Sequence, residues 1–325
     1  MVSLPLATTG KQLVKAVVLT YHSHRIQGPD YARNDHVAFA ADLHTIDRSG
    51  ARIVSLAALV DAIAAHQSGH AGAEDDATQV ALTFDDGPVW DVADFDHPAF
   101  GPQRGFANAM RDFLSGDADR KRHEVCATSF VIASPEARHA MESTFDAEYT
   151  FLMPGAMNDD WWREAATSGL IAIGNHSWDH LHPALATVAH SRQVRGDFTQ
   201  VATAADADAQ IRAAAAYIDA HTGGRAAPFF AYPYGHCNEF LASDYLPHAG
   251  RAMGLRAAFT TGAEVIDGSQ DVWRLPRFTC ELHASRMPPI SRTMRMALIA
   301  ESKLPVTARR VSCVSRRPST EMAIP

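Results

Sequence analysis

Two short stretches gather side chains that could bind a metal and move protons. In Thr83-Phe84-Asp85-Asp86-Gly87-Pro88, two adjacent carboxylates end the apolar run 80–84. In His176-Ser177-Trp178-Asp179-His180, two imidazoles stand at i and i+4. One hard anionic ligand, two neutral nitrogen ligands and a spare carboxylate are the parts of a divalent-metal hydrolase with an open coordination position. Asp86 on the metal with Asp85 as general base is the useful division, because a base beside the ion can take a proton from attacking water. Each stretch also has an ordinary use. Asp-Asp-Gly-Pro is good turn chemistry. Histidines four apart share a face if they sit on a helical turn, where they either reach one ion or are simply solvated. Asp179 offers a carboxylate to orient one of the rings.

The elements that must hold these residues alternate along the chain. Ala16-Val17-Val18-Leu19-Thr20-Tyr21 is apolar and β-branched, so it predicts a buried strand running into His22-Ser23-His24. Asp35 caps a helix whose apolar face uses Val37, Phe39, Ala40, Leu43 and Ile46, and Gly50 stops it. A short strand at 53–54 precedes a helix capped by Ser55, then a polar loop over 66–78 and the strand 80–84. Residues 88–105 look irregular, and a loop of that length beside the aspartates is a lid, a binding surface or a plain packed loop. A helix at 106–114, a strand at 126–132 and a helix at 159–168 ended by Gly169 follow, with Trp161-Trp162 packing against the sheet. The strand 170–173 runs into the histidine pair. A helix at 211–221, a strand at 229–232, a mostly helical stretch at 240–253 and a strand at 257–260 complete the pattern. Alternation of this kind predicts β/α units and a largely parallel sheet or barrel. Sites in such folds gather at the carboxyl ends of strands. His22, Asp85-Asp86, His176 and Tyr234 each follow a strand, which points to one shared site.

The 325 residues carry a net charge of -8 with a pI near 6.1, which argues against a nucleic-acid partner. Cys126, Cys237, Cys280 and Cys313 are far apart and form no CxxC pair, so they read as free thiols in a reducing compartment. Neither a signal-peptide pattern near the start nor a membrane-length apolar run is visible, so a cytoplasmic location is expected. A single domain over 1–300 and a loose basic tail over 301–325 complete the expected organisation.

Taken together, TFDDGP and, about ninety residues later, HSWDH resemble motifs of the NodB-homology polysaccharide deacetylases, carbohydrate esterase family 4. Phe230-Ala231-Tyr232-Pro233-Tyr234-Gly235 resembles that family's third motif, and Asp271-Val272-Trp273-Arg274-Leu275-Pro276-Arg277 its closing segment. The resemblance runs from about Val17 to Phe278. Leu19-Thr20-Tyr21-His22-Ser23 is similar to the N-terminal LxYH start of the biofilm-type branch. The resemblance implies an α/β fold, a distorted (β/α)7 barrel. It implies Asp85 as catalytic base and Asp86, His176 and His180 as metal ligands. The Tyr234 backbone N–H would stabilise an oxyanion. His22 would be the acid that protonates a leaving amine, or else a strand-end histidine that packs or caps.

Two departures from the family pattern stand out. Where many members carry an arginine that orients the base, this chain has Ala231-Tyr232; Arg277 either takes that part or serves the fold alone. The late motif that usually supplies the acid is poorly matched by Leu282-His283. Trp273 and Tyr232 wall an acetyl pocket or are core aromatics, and His24 and His236 line the cleft or are solvated loop residues. The implied activity is removal of N-acetyl groups from an amino sugar or N-acetylated polysaccharide, by attack of water held on one divalent metal. Zinc suits two histidines and a carboxylate, and cobalt, nickel or iron also fit. Relatives that open small cyclic amides or imides give an alternative substrate. A non-catalytic carbohydrate-binding protein is the third alternative.

Overall fold

A computed structural model describes residues 14–69, 77–116, 118–143 and 151–279. Among them the strands are β1 (Ala16–Tyr21), β2 (Arg52–Ile53), β3 (Gln79–Asp86), β4 (Phe95–His97), β5 (Gly101–Gln103), β6 (Ala127–Val131), β7 (Ile171–Asn175), β8 (Phe229–Ala231), β9 (Ala257–Phe259) and β10 (Phe278–Thr279). The α-helices are α1 (Asp35–Arg48), α2 (Leu56–Gln67), α3 (Phe106–Leu114), α4 (Pro135–Ser143), α5 (Trp162–Ser168), α6 (Ala204–Ala207) and α7 (Ala213–Thr222), and a π-helix spans Leu241–Gly250. One parallel sheet runs in the order β10-β1-β3-β6-β7-β8-β9, with β2 added beside β3. The seven strands of that path curl toward closure. Leu275 bridges to Phe259 at one edge, and three residues on, β10 pairs with β1 at the other. The short segment 275–279 therefore spans the seam of a distorted (β/α)7 barrel, and it carries Arg277 across it.

Alternation along β3 explains how the sheet is covered. Val80, Leu82 and Phe84 pack with Phe39, Leu43, Phe106 and Phe113 under α1 and α3. Ala81 faces the other way, into a cluster with Val18, Phe130, Ala231 and Phe259. The rings of Phe84 and Phe106 lie 4.4 Å apart and those of Phe39 and Phe84 meet edge to face at 5.2 Å. Each such pair adds about 0.5–1.5 kcal/mol beyond its buried area. This packing fixes the strand whose last two residues are the aspartates.

Several local expectations need correction. Asn34, not Asp35, caps α1; its side chain accepts from the His36 and Val37 N–H groups, while Asp35 is the first helical residue. Val37 is 38% exposed and lies off the apolar face. The stretch 88–105 is not irregular throughout, because β4 and β5 pair as an antiparallel hairpin. Helix α4 was not foreseen. The helix expected over 211–221 forms but begins earlier, running from α6 through a π-helical segment at Asp208–Arg212 into α7. Cys126 and Cys237 are free thiols. Cys280, Cys313, His283 and the tail 301–325 lie outside the described residues. Among the described residues no helix is long and apolar enough to cross a membrane.

Candidate active site

The two aspartates reach one site because β3 ends irregularly. Successive side chains on a strand point to opposite faces, which would separate Asp85 from Asp86. Asp86 instead has φ 73°, in the left-handed region. That turn brings its carboxylate to the mouth with that of Asp85. Gly87 follows with φ 76°, and a Cβ there would meet Val131 Cγ1 at 2.6 Å, so only glycine fits.

The histidines arrive on β7. His176 follows the strand directly, and its Nδ1 lies 2.9 Å from the Ala231 carbonyl. A carbonyl only accepts, so Nδ1 donates its N–H, and in the neutral ring Nε2 is the nitrogen with the lone pair. The pair does not sit on a helical turn, as the spacing suggested. Ser177 and His180 have φ 74° and 60°, so the chain loops back to bring both rings together. The ring centroids lie 4.8 Å apart. Local side-chain bonds hold this loop. Asn175 Oδ1 accepts from the Ser177 N–H, and Ser177 Oγ accepts from the His180 N–H. Asp179 does not orient a ring. Its Oδ1 accepts from the Leu181 N–H and Gln210 Nε2, and its Oδ2 from the Ala189 N–H, so it braces the loop.

Asp86 Oδ1 stands 3.6 Å from His176 Nε2 and 3.7 Å from His180 Nε2. Ligands at the usual zinc distances sit about 3.3–3.4 Å apart around a tetrahedral ion. The three side chains thus fit a divalent cation with only slight closure. All three are buried, and their ligand atoms lie within 4.8 Å of one another. Asp86 Oδ1 and His180 Nδ1 are buried without a hydrogen-bond partner among the described residues. Burial, followed by the neighbouring His176, pushes His180 down to about 3, so the ring is neutral and able to ligate. Burial alone would raise the Asp86 carboxyl, but the surrounding histidines, His180 first, hold it below the usual range and ionised.

Asp85 is clamped by Arg277. Nη1 and Nη2 donate to Oδ1 and Oδ2 at 2.7 and 2.8 Å, a two-pronged pair with both residues buried. Burial opposes the charge on Asp85, yet Arg277, then His176, outweighs it and keeps the carboxyl below its usual value. Asp85 Oδ2 lies 3.9 Å from His176 Nε2, beside the cation group. Arg277 also stacks over Phe130, 5.3 Å from the ring centre.

His22 follows β1, with its backbone N–H donating to Asp35 Oδ2 at 2.8 Å. It lies near enough to interact with the charges of Asp85 and Asp86. Tyr234 sits in a tight turn with φ 59°, its ring 4.3 Å from that of His180. Its backbone N–H takes no acceptor among the described residues. Four left-handed non-glycine residues, Asp86, Ser177, His180 and Tyr234, surround this one point. Such backbone strain collects where function needs it. Trp273 and Tyr232 are buried core residues, joined by the Tyr232 hydroxyl donating to the Trp273 carbonyl. His236 stands at the surface, its Nδ1 3.5 Å from Asp197.

Of the two readings of His24, cleft lining is the one its position fits, and Asp91 was missed. His24 is not a solvated loop residue: it is buried, with Nε2 3.6 Å from Asp86 Oδ2. His22-Ser23-His24 leaves β1 in a turn closed by the Arg25 N–H donating to the His22 carbonyl, so strand periodicity does not mark it. Asp91 is buried beneath them and accepts from Ser23 and Ser129 hydroxyls at 2.6 Å each. No sequence signal marked it.

Known structures share this architecture. The Streptococcus pyogenes deacetylase PplD, solved in complex with acetate, is 17% identical with a TM-score of 0.55, the match covering 87% of this chain and 99% of that one. IcaB from Ammonifex degensii is 21% identical with a TM-score of 0.52, covering 89% and 98%. A de-N-acetylase from Aggregatibacter actinomycetemcomitans is 15% identical with a TM-score of 0.51, covering 82% and 96%. At these identities the likeness carries the fold. No curated protein sequence matches the chain. The family model for polysaccharide deacetylase matches residues 72–258, more than half of the sequence and the part that holds both motifs, so the chain belongs to the polysaccharide deacetylase family.

Proposed function

We propose that this protein removes N-acetyl groups from an amino sugar or an N-acetylated polysaccharide, using one divalent cation held by Asp86, His176 and His180. The observation that carries this reading is the division of labour between adjacent aspartates. Asp86 faces two imidazoles, whereas Asp85 is locked to Arg277 and ionised. When bound, a zinc-like ion would polarise a carbonyl oxygen and make water more acidic.

The protein's own groups supply the rest. Asp85 is the proton acceptor for the attacking water, because it is charged, fixed and next to the cation group. Arg277 fixes its orientation and keeps it ionised. The Tyr234 N–H points a fixed dipole where negative charge develops on the amide oxygen, worth about 2.7–4 kcal/mol for one such donor. His22 follows β1, the parallel neighbour of β3, at the same carboxyl end of the sheet as the aspartates, and gives a proton to the departing amine as the C–N bond breaks. The test is a pair of variants. Asp85→Asn should lose acetate release by about 10²–10⁴-fold and still hold the ion. His176→Ala should lose both. Normal turnover in either variant overturns these roles.

A further inference from the structure

Asp86 meets three imidazoles, and only two belong to the histidine pair. Its Oδ1 faces His176 and His180, while its Oδ2 lies 3.6 Å from His24 Nε2. His24 falls outside the group of three whose ligand atoms converge. It meets the other oxygen of the carboxylate. At 3.6 Å the contact is between charge and dipole, just beyond a full hydrogen bond.

The backbone around His24 is braced at successive residues. The His24 carbonyl accepts from the Phe151 N–H at 2.9 Å. The Ser23 carbonyl lies 2.8 Å from His36 Nε2, and the Ser23 hydroxyl donates to Asp91. Asp91 ties that segment to Ser129 on β6, the strand paired with β3 at Asp86–Val131. The ring of His24 is thereby held in register with the carboxylate it faces.

A carboxylate that offers one oxygen to an ion is free to swing unless its second oxygen is also engaged, and ligating carboxylates are usually held by such outer partners. We propose that His24 is the positioning residue for Asp86: its ring N–H faces Oδ2, so that Asp86 presents Oδ1 between His176 and His180. This rests on the metal-site reading above.

The experiment measures zinc affinity of the full chain by competition with a chelating indicator, for wild type, H24Q, H24M and H24N. H24Q keeps an N–H donor at the reach of the ring Nε2. H24M keeps the volume without a donor, and H24N keeps polarity with a donor too short to reach. H24M and H24N should bind zinc about 10–100-fold more weakly, and H24Q within about threefold of wild type. If H24M does not fold, H24N carries the comparison. Wild-type affinity in H24M or H24N overturns the role, as does an equal loss in all three variants. A wild-type chain that binds no divalent ion overturns the metal site itself and this role with it; zinc-binding wild type beside an unchanged H24M overturns the role alone.

Discussion

Replacing Arg277 with methionine isolates the clamp on Asp85. The guanidinium makes two bonds of 2.7 and 2.8 Å to the carboxylate, and both residues are buried. Methionine keeps the bulk and removes the charge. Leaving one partner of a buried ion pair uncompensated costs about 3–5 kcal/mol. That corresponds to a fall of roughly 6–20 °C in Tm at neutral pH. The pH dependence follows from the direction of the shift. In the wild type, Asp85 is held below 3.8, so its contribution to stability is present above that value and is lost as pH falls through its lowered value. Without Arg277, burial dominates and the carboxyl rises above 3.8, so the variant loses stability progressively as pH rises. The gap between the two proteins should be small near pH 4 and widest near pH 8. Arg277→Lys keeps the charge and loses the fork, so it should fall between them. Thermal melts from pH 4 to 8 read the stability difference. The pH profile of kcat/KM reads the base, whose acid limb should move to higher pH in the methionine variant. Parallel melting curves, or an unmoved acid limb, would refute the argument that Arg277 sets the charge of Asp85.

Two further outcomes follow from the geometry around the site. Gly87→Ala places a Cβ 2.6 Å from Val131 Cγ1 at φ 76°, so it should cost about 1–3 kcal/mol in a denaturant melt and reduce metal affinity by displacing Asp86. An unchanged midpoint would contradict the packing. Asp91 is pushed up to about 7, chiefly by burial, despite its two serine donors. A raised carboxyl makes stability fall as pH rises from 3.8 toward that value. Asp91→Asn should flatten this slope between about pH 4 and 7, and melts that keep the wild-type slope would contradict it.

The regular parts of the fold were legible because their signals are local. The β-branched run at 16–21 is β1, and the helix read at 106–114 is α3. The site's residues were legible as types at strand ends. Their arrangement was not. The left-handed residues Asp86, Ser177 and His180 go with local bonds from the Asn175 and Ser177 side chains, a brace from Gln210 to Asp179, and the close approach of Gly87 to Val131, none of which the residue types alone specify. An i, i+4 spacing therefore suggested a helix where a non-helical loop stands. His24 and Asp91 act through Asp86 and Ser23, partners that no periodicity reveals. The hairpin β4–β5 is three residues a side, too short for an alternating pattern to declare itself. Arg277 was legible only as part of the closing segment. Its reach to Asp85 depends on that segment spanning the barrel seam.

The most direct test of the central claim is acetate release from N-acetylated amino sugars, from monomer to polymer, by the full chain loaded with zinc or cobalt and by the same chain after chelation. Release that needs the metal, stops on chelation and returns on adding the ion back is the predicted result. No release from any sugar by a sample that holds stoichiometric metal would contradict the N-deacetylase reading and direct attention to small cyclic amides.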